Sequence, residues 1–481
     1  MCGRTKRASG EGCTLAHIRL LLKNIDPDFV HQRLTPMSPH PQALRTAQGG
    51  SSSDLIILKR HATQSAATSK GRYALTLRVA LAAAGAFMLA AVHPAAAQKK
   101  YSPGVTDTEI KIGQTMPYSG PASAYGTQGR VEEAYYEMIN ARGGVNGRKI
   151  KLISLDDAYS PPKTVEQTRR LVEQDEVLAV IGTIGTPTNS AVQKYLNLKK
   201  VPQLFISTGA AKWDDPKNFP WTTQLYPPYQ MEGMIFAKYL LKNKPDAKLG
   251  VFSQNDDAGK DYVKGLKDGL GDKAKAMIVK EVTYEVSDPT VDSQIVALKA
   301  SGADTLFTMA TPKFGAQAIR KVYELGWKPL NFVVSVSSSI KGVMEPAGAE
   351  ASKGVLTALA FKGPTDPTWD NAPDMKAFKD FLAKWYPRGD IADGSNVTGY
   401  ISAYMTVKII EMCGDDLTRE NLLKQATHLN KVVAPLLLPG IAISTRPDRY
   451  APYTQMQVAR FDGKTWVPEG EVFNTDASAG Q

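Results

Sequence analysis

Two pairs of adjacent carboxylates, Asp156 with Asp157 and Asp256 with Asp257, each follow a predicted strand. In a parallel α/β sheet that is where a strand ends and a ligand or a reaction is met. Paired carboxylates could divide acid and base roles or hold a hard cation. The commoner use of Asp at such a place is plainer: it caps a helix or closes a turn. A third feature, Gly182, Gly185 and Thr186 after the run VLAVI, could face an anion with backbone and hydroxyl donors. Other chemistry is missing. There is no Walker-type phosphate loop and no Gly-x-Ser-x-Gly elbow, and five of the six His and two of the three Cys fall within the first 97 residues. Beyond residue 97 only His428 and Cys413 remain, so that portion can make neither an internal disulfide nor a His or Cys metal cluster, and no His stands by to activate a Ser or Cys. His428 is expected at the surface near a helix end, and Cys413 as a small buried hydrophobe. No cofactor is expected. A hydrolase or lyase using Asp156 or Asp256 is the alternative from the enzyme class.

The elements that must carry these residues read clearly from periodicity. In 109–160, Ile110, Ile112 and Met116 alternate as in a strand, and a Ser, Gly and Pro loop follows from 117 to 129. Val131, Ala134, Tyr135, Met138 and Ile139 then recur at helical spacing, Gly143 and Gly144 stop the helix, and Ile150, Leu152, Ile153 and Leu155 predict a second buried strand. Strand, helix, strand is a βαβ unit with parallel strands. The pattern repeats through a helix from Pro161, a strand at 177–186, a helix at 188–198 and a strand at 202–210. A Pro and aromatic stretch at 219–229 interrupts it. A second βα set of similar size runs from Met231 to about 339, and two amphipathic helices and a tail with Asp462 and Gly463 as a hairpin turn come last. Two sets of this kind predict two α/β lobes, each built around its own sheet.

The net charge of +11 points at first to an anionic partner. Residues 1–97 hold twelve Lys or Arg against four acids, however, and the remainder holds 46 against 43. A nearly neutral body argues against nucleic acid as a partner. Residues 70–97, with Ser69 ahead of them, read SKGRYALTLRVALAAAGAFMLAAVHPAAA: a basic start, an apolar run at 79–92, Pro94 and three Ala. This is the layout of a secretory signal cleaved after Ala97, and the apolar run is short for a bilayer span of about 20 residues. Residues 1–69 are expected to be disordered or an over-extended start. The product is expected to be periplasmic, soluble and without a lipid anchor.

The SGPASAYG loop, the NARGGVNGRKIKL turn and the DDAYSPPK segment, all starting within 109–160, resemble the Leu/Ile/Val-binding family of type I periplasmic substrate-binding proteins of ABC transporters. The likeness in order of elements extends over 101–474. It implies an α/β fold of two Rossmann-like lobes joined by three crossover strands, which close on a ligand and deliver it to an inner-membrane permease. The crossovers would fall near 223–226, 351–356 and 441–445. They divide the chain into a first lobe of 98–224 and 354–442, a second of 225–353 and 443–474, and a frayed tail of 475–481. The family implies no enzyme activity, and a monomer.

The resemblance also implies a site. Tyr125 matches the aromatic of the first loop, Thr186 the hydroxyl that meets a ligand carboxylate, and Thr208, Gly209, Ala210 and Ala211 the segment that adds donors. Ala211 stands where amino-acid binders present a second Thr. The second-lobe aromatic is replaced by Ala258, with Asn255 and Asp257 beside it. Thr308, Met309, Thr311, Ser335 and Ser337 would line that lobe with hydroxyls and soft apolar surface, and Trp213 would extend the apolar wall or lie structurally beneath the loop. The acid that pairs with a ligand ammonium has no counterpart in VSVSSSIKG, and the family's disulfide positions are Tyr159 and Gly185. A buried ammonium without a carboxylate costs several kcal/mol. The expected ligand is therefore a small hydrophobic carboxylate, aromatic or aliphatic. A branched-chain or other amino acid is the runner-up, with Asp256, Asp257 or Glu345 supplying the charge.

Overall fold

A computed structural model describes residues 99–475. The predicted signal, the stretch before it and positions 476–481 of the expected tail lie outside the described residues. The first sheet contains β1 (Glu109–Met116), β2 (Lys149–Asp156), β3 (Val180–Ile181), β4 (Gln203–Ile206) and β5 (Thr222–Gln224), ordered β2-β1-β3-β4-β5. All its pairings are parallel. Helices α1 (Gly126–Ala141), α2 (Pro161–Glu173) and α3 (Thr186–Lys199) are its crossovers. The second sheet contains β6 (Leu249–Gln254), β7 (Ile278–Tyr284), β8 (Thr305–Met309), β9 (Leu330–Val333), β10 (Leu356–Leu359), β11 (Gln455–Phe461) and β12 (Trp466–Asn474), ordered β12-β11-β10-β9-β8-β6-β7. Its crossovers are α4 (Tyr229–Asn243), α5 (Asp257–Leu270), α6 (Asp292–Ala300) and α7 (Pro312–Glu324). These are the two Rossmann-like lobes that the repeated βα pattern predicts.

Three details depart from the periodicity or refine it. Strand β2 carries the expected apolar residues, yet only Ile150 is fully buried and Leu152, Ile153 and Leu155 are half-buried. It lies at the edge of its sheet, where one flank has no neighbouring strand to cover it. Strand β10 joins the second sheet, pairing parallel with β9 and antiparallel with β11, although the expected boundary at 354 assigns it to the first lobe. The chain leaves that sheet only after Leu359. Antiparallel β11 and β12 are the predicted hairpin, and Asp462 accepts the Lys464 and Thr465 amides at 2.7 and 2.8 Å across its turn.

Helices α8 (Pro373–Trp385) and α9 (Ser395–Cys413) return to the first lobe. They close against α1 through aromatic rings, Tyr135 edge-on to Tyr400 at 5.0 Å and 5.8 Å from Phe381. A parallel pairing of Lys100–Tyr101 with Asp416–Leu417 ties the start of the described chain to the segment after α9. Cys413 is buried, and exposed His428 lies just past the helix Arg419–Ala426, as expected of both. Among the described residues no helix is long and apolar enough to cross a membrane.

Candidate functional site

The carboxylate pairs are structural. Asp156 accepts the Ser119 amide and hydroxyl at 3.1 and 2.6 Å and the Ala158 amide at 3.0 Å, and it pairs with Lys163 at 3.0 Å. Partial burial opposes its charge, but these donors outweigh it and hold the carboxyl far below its ordinary value. Asp157 accepts the Tyr159 amide at 2.9 Å and the Thr164 hydroxyl at 2.9 Å, and burial raises it. Asp256 caps α5 through the Gly259 amide at 3.0 Å and also accepts from Gln254 at 2.6 Å. Neither Asp156 nor Asp256 faces the cavity described next.

What the first pair positions is an aromatic ring. Ala158 and Tyr159 both take left-handed backbone, with φ of 53° and 58°, a conformation that costs free energy outside glycine and needs support. The amides caught by Asp156 and Asp157 supply it. The turn delivers the Tyr159 ring onto Gly185, where an added Cβ would sit 2.4 Å from the ring. At the two positions where the resemblance implies a disulfide, this chain therefore has a ring on a bare glycine.

Tyr159 and Gly185 belong to the wall of a cavity of about 130 Å³ in the cleft between the sheets. Tyr125, Tyr226, Tyr229, Met309, Phe361 and Trp466 are among the side chains of its apolar surface. At one end lie Gly185 and Thr186, the start of α3, so the positive pole of that helix faces the cavity. Thr186 Oγ1 is 2.5 Å from Thr208 Oγ1, and the Tyr229 amide donates to the Gly209 carbonyl at 2.8 Å. The opposite wall contains Gln254, Thr311 and Ser335. The Tyr125 hydroxyl crosses the cleft and donates to the Val336 carbonyl at 3.0 Å. Among the described residues the one lysine in the lining is Lys362, whose ammonium lies 2.6 and 2.9 Å from the two oxygens of Asp374, so its charge is already matched.

Of the residues expected at the site, Tyr125, Thr186, Met309 and Ser335 meet in this cavity, as do Thr311 and Ala258. Thr208 stands behind Thr186 and does not line it. Gly209 serves the crossover, because an added Cβ would lie 2.0 Å from the Pro227 carbonyl oxygen. Ala210 is buried, and the Ala211 amide donates to Asp261 at 2.7 Å. Asn255 is exposed and donates to Glu285 at 2.5 Å. Asp257 pairs with Lys212 at 3.3 Å, and Glu345 with Lys341 at 3.0 Å. Thr308 and Trp213 are buried away from the cavity, and Ser337 donates to the Ala310 carbonyl.

An acid does reach the cavity, from a place the family motif does not indicate. Asp393, ahead of α9, accepts the Ser339 hydroxyl at 3.1 Å and the Ser395 amide at 3.0 Å, and both it and Ser339 line the wall. It is 54 residues from Ser339, so no local pattern could pair them. Tyr159, Gln128, Tyr226, Tyr229 and Gln254 were also missed. The only signal for Tyr159 was its coincidence with a disulfide position.

Contacts between the two sides of the cleft flank the cavity. Asp257 and Asp261 of α5 hold Lys212 and Ala211 on one side, and the Lys341 amide donates to the Ala392 carbonyl at 3.0 Å on another. Asp257 is exposed and Lys212 half-buried at the rim, and solvent-screened pairs of that kind contribute under about 1 kcal/mol. Asp257→Asn is accordingly expected to change ligand affinity by less than about fivefold, a difference that titration calorimetry at low and high salt would measure.

The sequence profile of a family described as periplasmic binding protein matches residues 109–465. The chain is 25% identical over 223 residues to an amino acid binding protein of Pseudomonas aeruginosa, which is 45% of this chain and 58% of that protein. It thus spans less than two thirds of that relative's length. A fatty acid ABC transporter substrate-binding protein from Thermomonospora curvata superposes with a TM-score of 0.67 at 23% identity, over 80% of this chain and 97% of the other. An ABC transporter solute binding protein from Rhodopseudomonas palustris BisB5, solved with 3,4-dihydroxy benzoic acid, gives 0.63 at 19% identity over 76% and 98%. At these identities the two structures establish a shared fold.

Proposed function

This chain belongs to the periplasmic binding protein family, and on that premise we propose that it captures a small hydrophobic carboxylate, an aromatic or aliphatic acid, outside the cytoplasm. It hands this cargo to the permease of an ABC importer, acting as a monomer without catalysis. The observation that carries the reading is the cavity itself: aromatic rings in its wall, neutral donors and a helix start at one end, and, among the described residues, one lining lysine already matched by Asp374. Its size suits one ring, since an engineered apolar void of about 150 Å³ takes up benzene. Solved relatives whose names specify a fatty acid transporter and a dihydroxybenzoic acid complex support the same class. Contacts from both lobes would favour the closed state of a hinged pair, with the hinge at the crossovers.

A second reading, an amino acid, has one specific observation behind it. Asp393 lines the cavity and could meet an ammonium. The Pseudomonas aeruginosa relative is named for amino acids. A thermal-shift screen of the purified protein against benzoates, short fatty acids and amino acids separates the two, because a ligand specific for the folded state raises the melting temperature by mass action. Stabilisation by acids that lack an amine is the expected result. A response to leucine, isoleucine or valine alone would overturn it in favour of the amino-acid reading.

A further inference from the structure

Behind the second-lobe wall lies a carboxyl group that the proposed carboxylate end does not use. Glu232, in the first turn of α4, is fully buried. Its neighbours are hydroxyls and one amide, with no cation among the described groups acting on it. The Ser335 amide donates to Oε1 at 2.6 Å, the Ser335 hydroxyl to Oε2 at 2.7 Å, and the Tyr262 hydroxyl of α5 to Oε2 at 3.1 Å. The phenols of Tyr226 and Tyr229, from the crossover and the start of α4, are the other titratable groups facing it. Ser335 is itself in the cavity wall, with Tyr226 Oη 3.1 Å from its hydroxyl.

A serine hydroxyl has one proton to give and two lone pairs with which to accept. While Glu232 is a carboxylate, both Ser335 donors point back at it, and toward the cavity Ser335 Oγ can only accept. A neutral Glu232 cannot carry its proton on Oε1, which already faces an N–H. The proton goes to Oε2, where the shorter contact is Ser335 Oγ. That oxygen then accepts from the acid and turns its own proton away from Glu232, toward the cavity-lining side where the Tyr226 hydroxyl, 3.1 Å away, and a ligand oxygen are the acceptors. We propose that Glu232 is a positioning residue whose protonation sets the hydrogen-bonding sense of Ser335: the wall accepts from a ligand hydroxyl when Glu232 is ionised and donates to a ligand oxygen when it is protonated. This rests on the carboxylate reading above, since Ser335 then meets the end of the ligand away from Thr186. Burial moves the Glu232 carboxyl from 4.5 to about 7, which places the change within an ordinary extracytoplasmic range.

Two probes that differ only in this sense are 4-hydroxybenzoate and 4-methoxybenzoate. Both stay carboxylates, and the phenol stays protonated, between about pH 6 and 8. In wild type the ratio of their association constants, hydroxy over methoxy, is expected to rise by about tenfold across that interval, since the phenol can donate or accept and suits both states while the methoxy oxygen only accepts and loses its donor when Glu232 ionises. Glu232→Gln keeps an oxygen for the Ser335 amide and offers an N–H to its hydroxyl, the sense of the protonated acid. In that variant the ratio should be flat and fixed near the wild-type value at low pH. A merely structural Glu232 would lower both affinities together and leave the slope alone. A flat wild-type ratio, or an equal slope in Glu232→Gln, overturns the proposal. If neither probe binds at any pH, the ligand class fails, and infrared titration of the unliganded protein still decides the switch. A protonated-carboxyl band lost near neutral pH that is weaker in Glu232→Gln than in wild type, Glu132 supplying what remains, supports it, and the lack of such a difference overturns it.

Discussion

Thr186→Val is expected to weaken binding of a hydrophobic acid by about 10- to 100-fold while the fold and melting temperature of the unliganded protein stay close to wild type. The substitution keeps the shape of the side chain and removes its hydroxyl. Hydrogen bonds to a charged partner contribute about 1.5–3 kcal/mol, and a factor of ten in affinity corresponds to about 1.4 kcal/mol. Thr186 is the lining hydroxyl at the start of α3, paired with Thr208 Oγ1 at 2.5 Å. Its loss removes a donor from the carboxylate end just where the matched Lys362 cannot take over. Titration calorimetry on benzoate, with Thr208→Val as a companion, checks this. The companion should lose less, because Thr208 stands behind the wall and acts through Thr186. Unchanged affinity in Thr186→Val would remove the carboxylate from this end of the cavity.

The second large effect concerns stability against pH. Glu132 on α1 is buried, with Gln114 and Gln128 donating to its two oxygens, the latter at 3.0 Å. Burial raises its carboxyl from 4.5 to about 7 despite those donors. The folded state therefore holds this proton more tightly than the unfolded chain does. The associated stability is fully present below the unfolded pKa of 4.5 and is lost as pH rises through about 7. A tenfold change in proton affinity between the two states is worth about 1.4 kcal/mol, so the loss between about pH 5 and 8 is about 2–3 kcal/mol. In Glu132→Gln the difference in unfolding free energy between those two pH values should shrink by that amount, measured by urea denaturation at each. Asp156 has the opposite sign, being held low in the fold, so its contribution fails only in acid. A wild-type stability that is level from pH 5 to 8 would contradict the burial argument for Glu132.

The location matters as well as the sign. Gln128, which donates to Glu132, also lines the cavity and accepts from the Ser207 hydroxyl at 3.0 Å. Glu132 and Glu232 thus each stand a single residue behind the ligand wall, Glu132 through Gln128 and Glu232 through Ser335.

By itself the amino-acid sequence determined what depends on neighbours a few residues apart. Alternation along β1, the helical stripe of Val131, Ala134, Tyr135 and Met138, and the turn at Asp462 and Gly463 are local patterns, and the structure contains each of them. Tyr125, Thr186, Met309 and Ser335 were named through the family resemblance, and they meet because they lie at or after strand ends, which parallel sheets gather on one side. Only the tertiary structure decided what depends on residues far apart in the chain. Whether β2 is covered on both flanks is set by strand order, and it is an edge. The Ala211 amide looked free for a ligand until α5 brought Asp261 to within 2.7 Å of it. The acid in the cavity wall is Asp393, which the return of the chain to the first lobe carries next to Ser339. The sense in which Ser335 faces the cavity depends on Glu232, 103 residues earlier. Hydrogen bonds and burial of this kind have no period in sequence, because they arise only when separate elements pack.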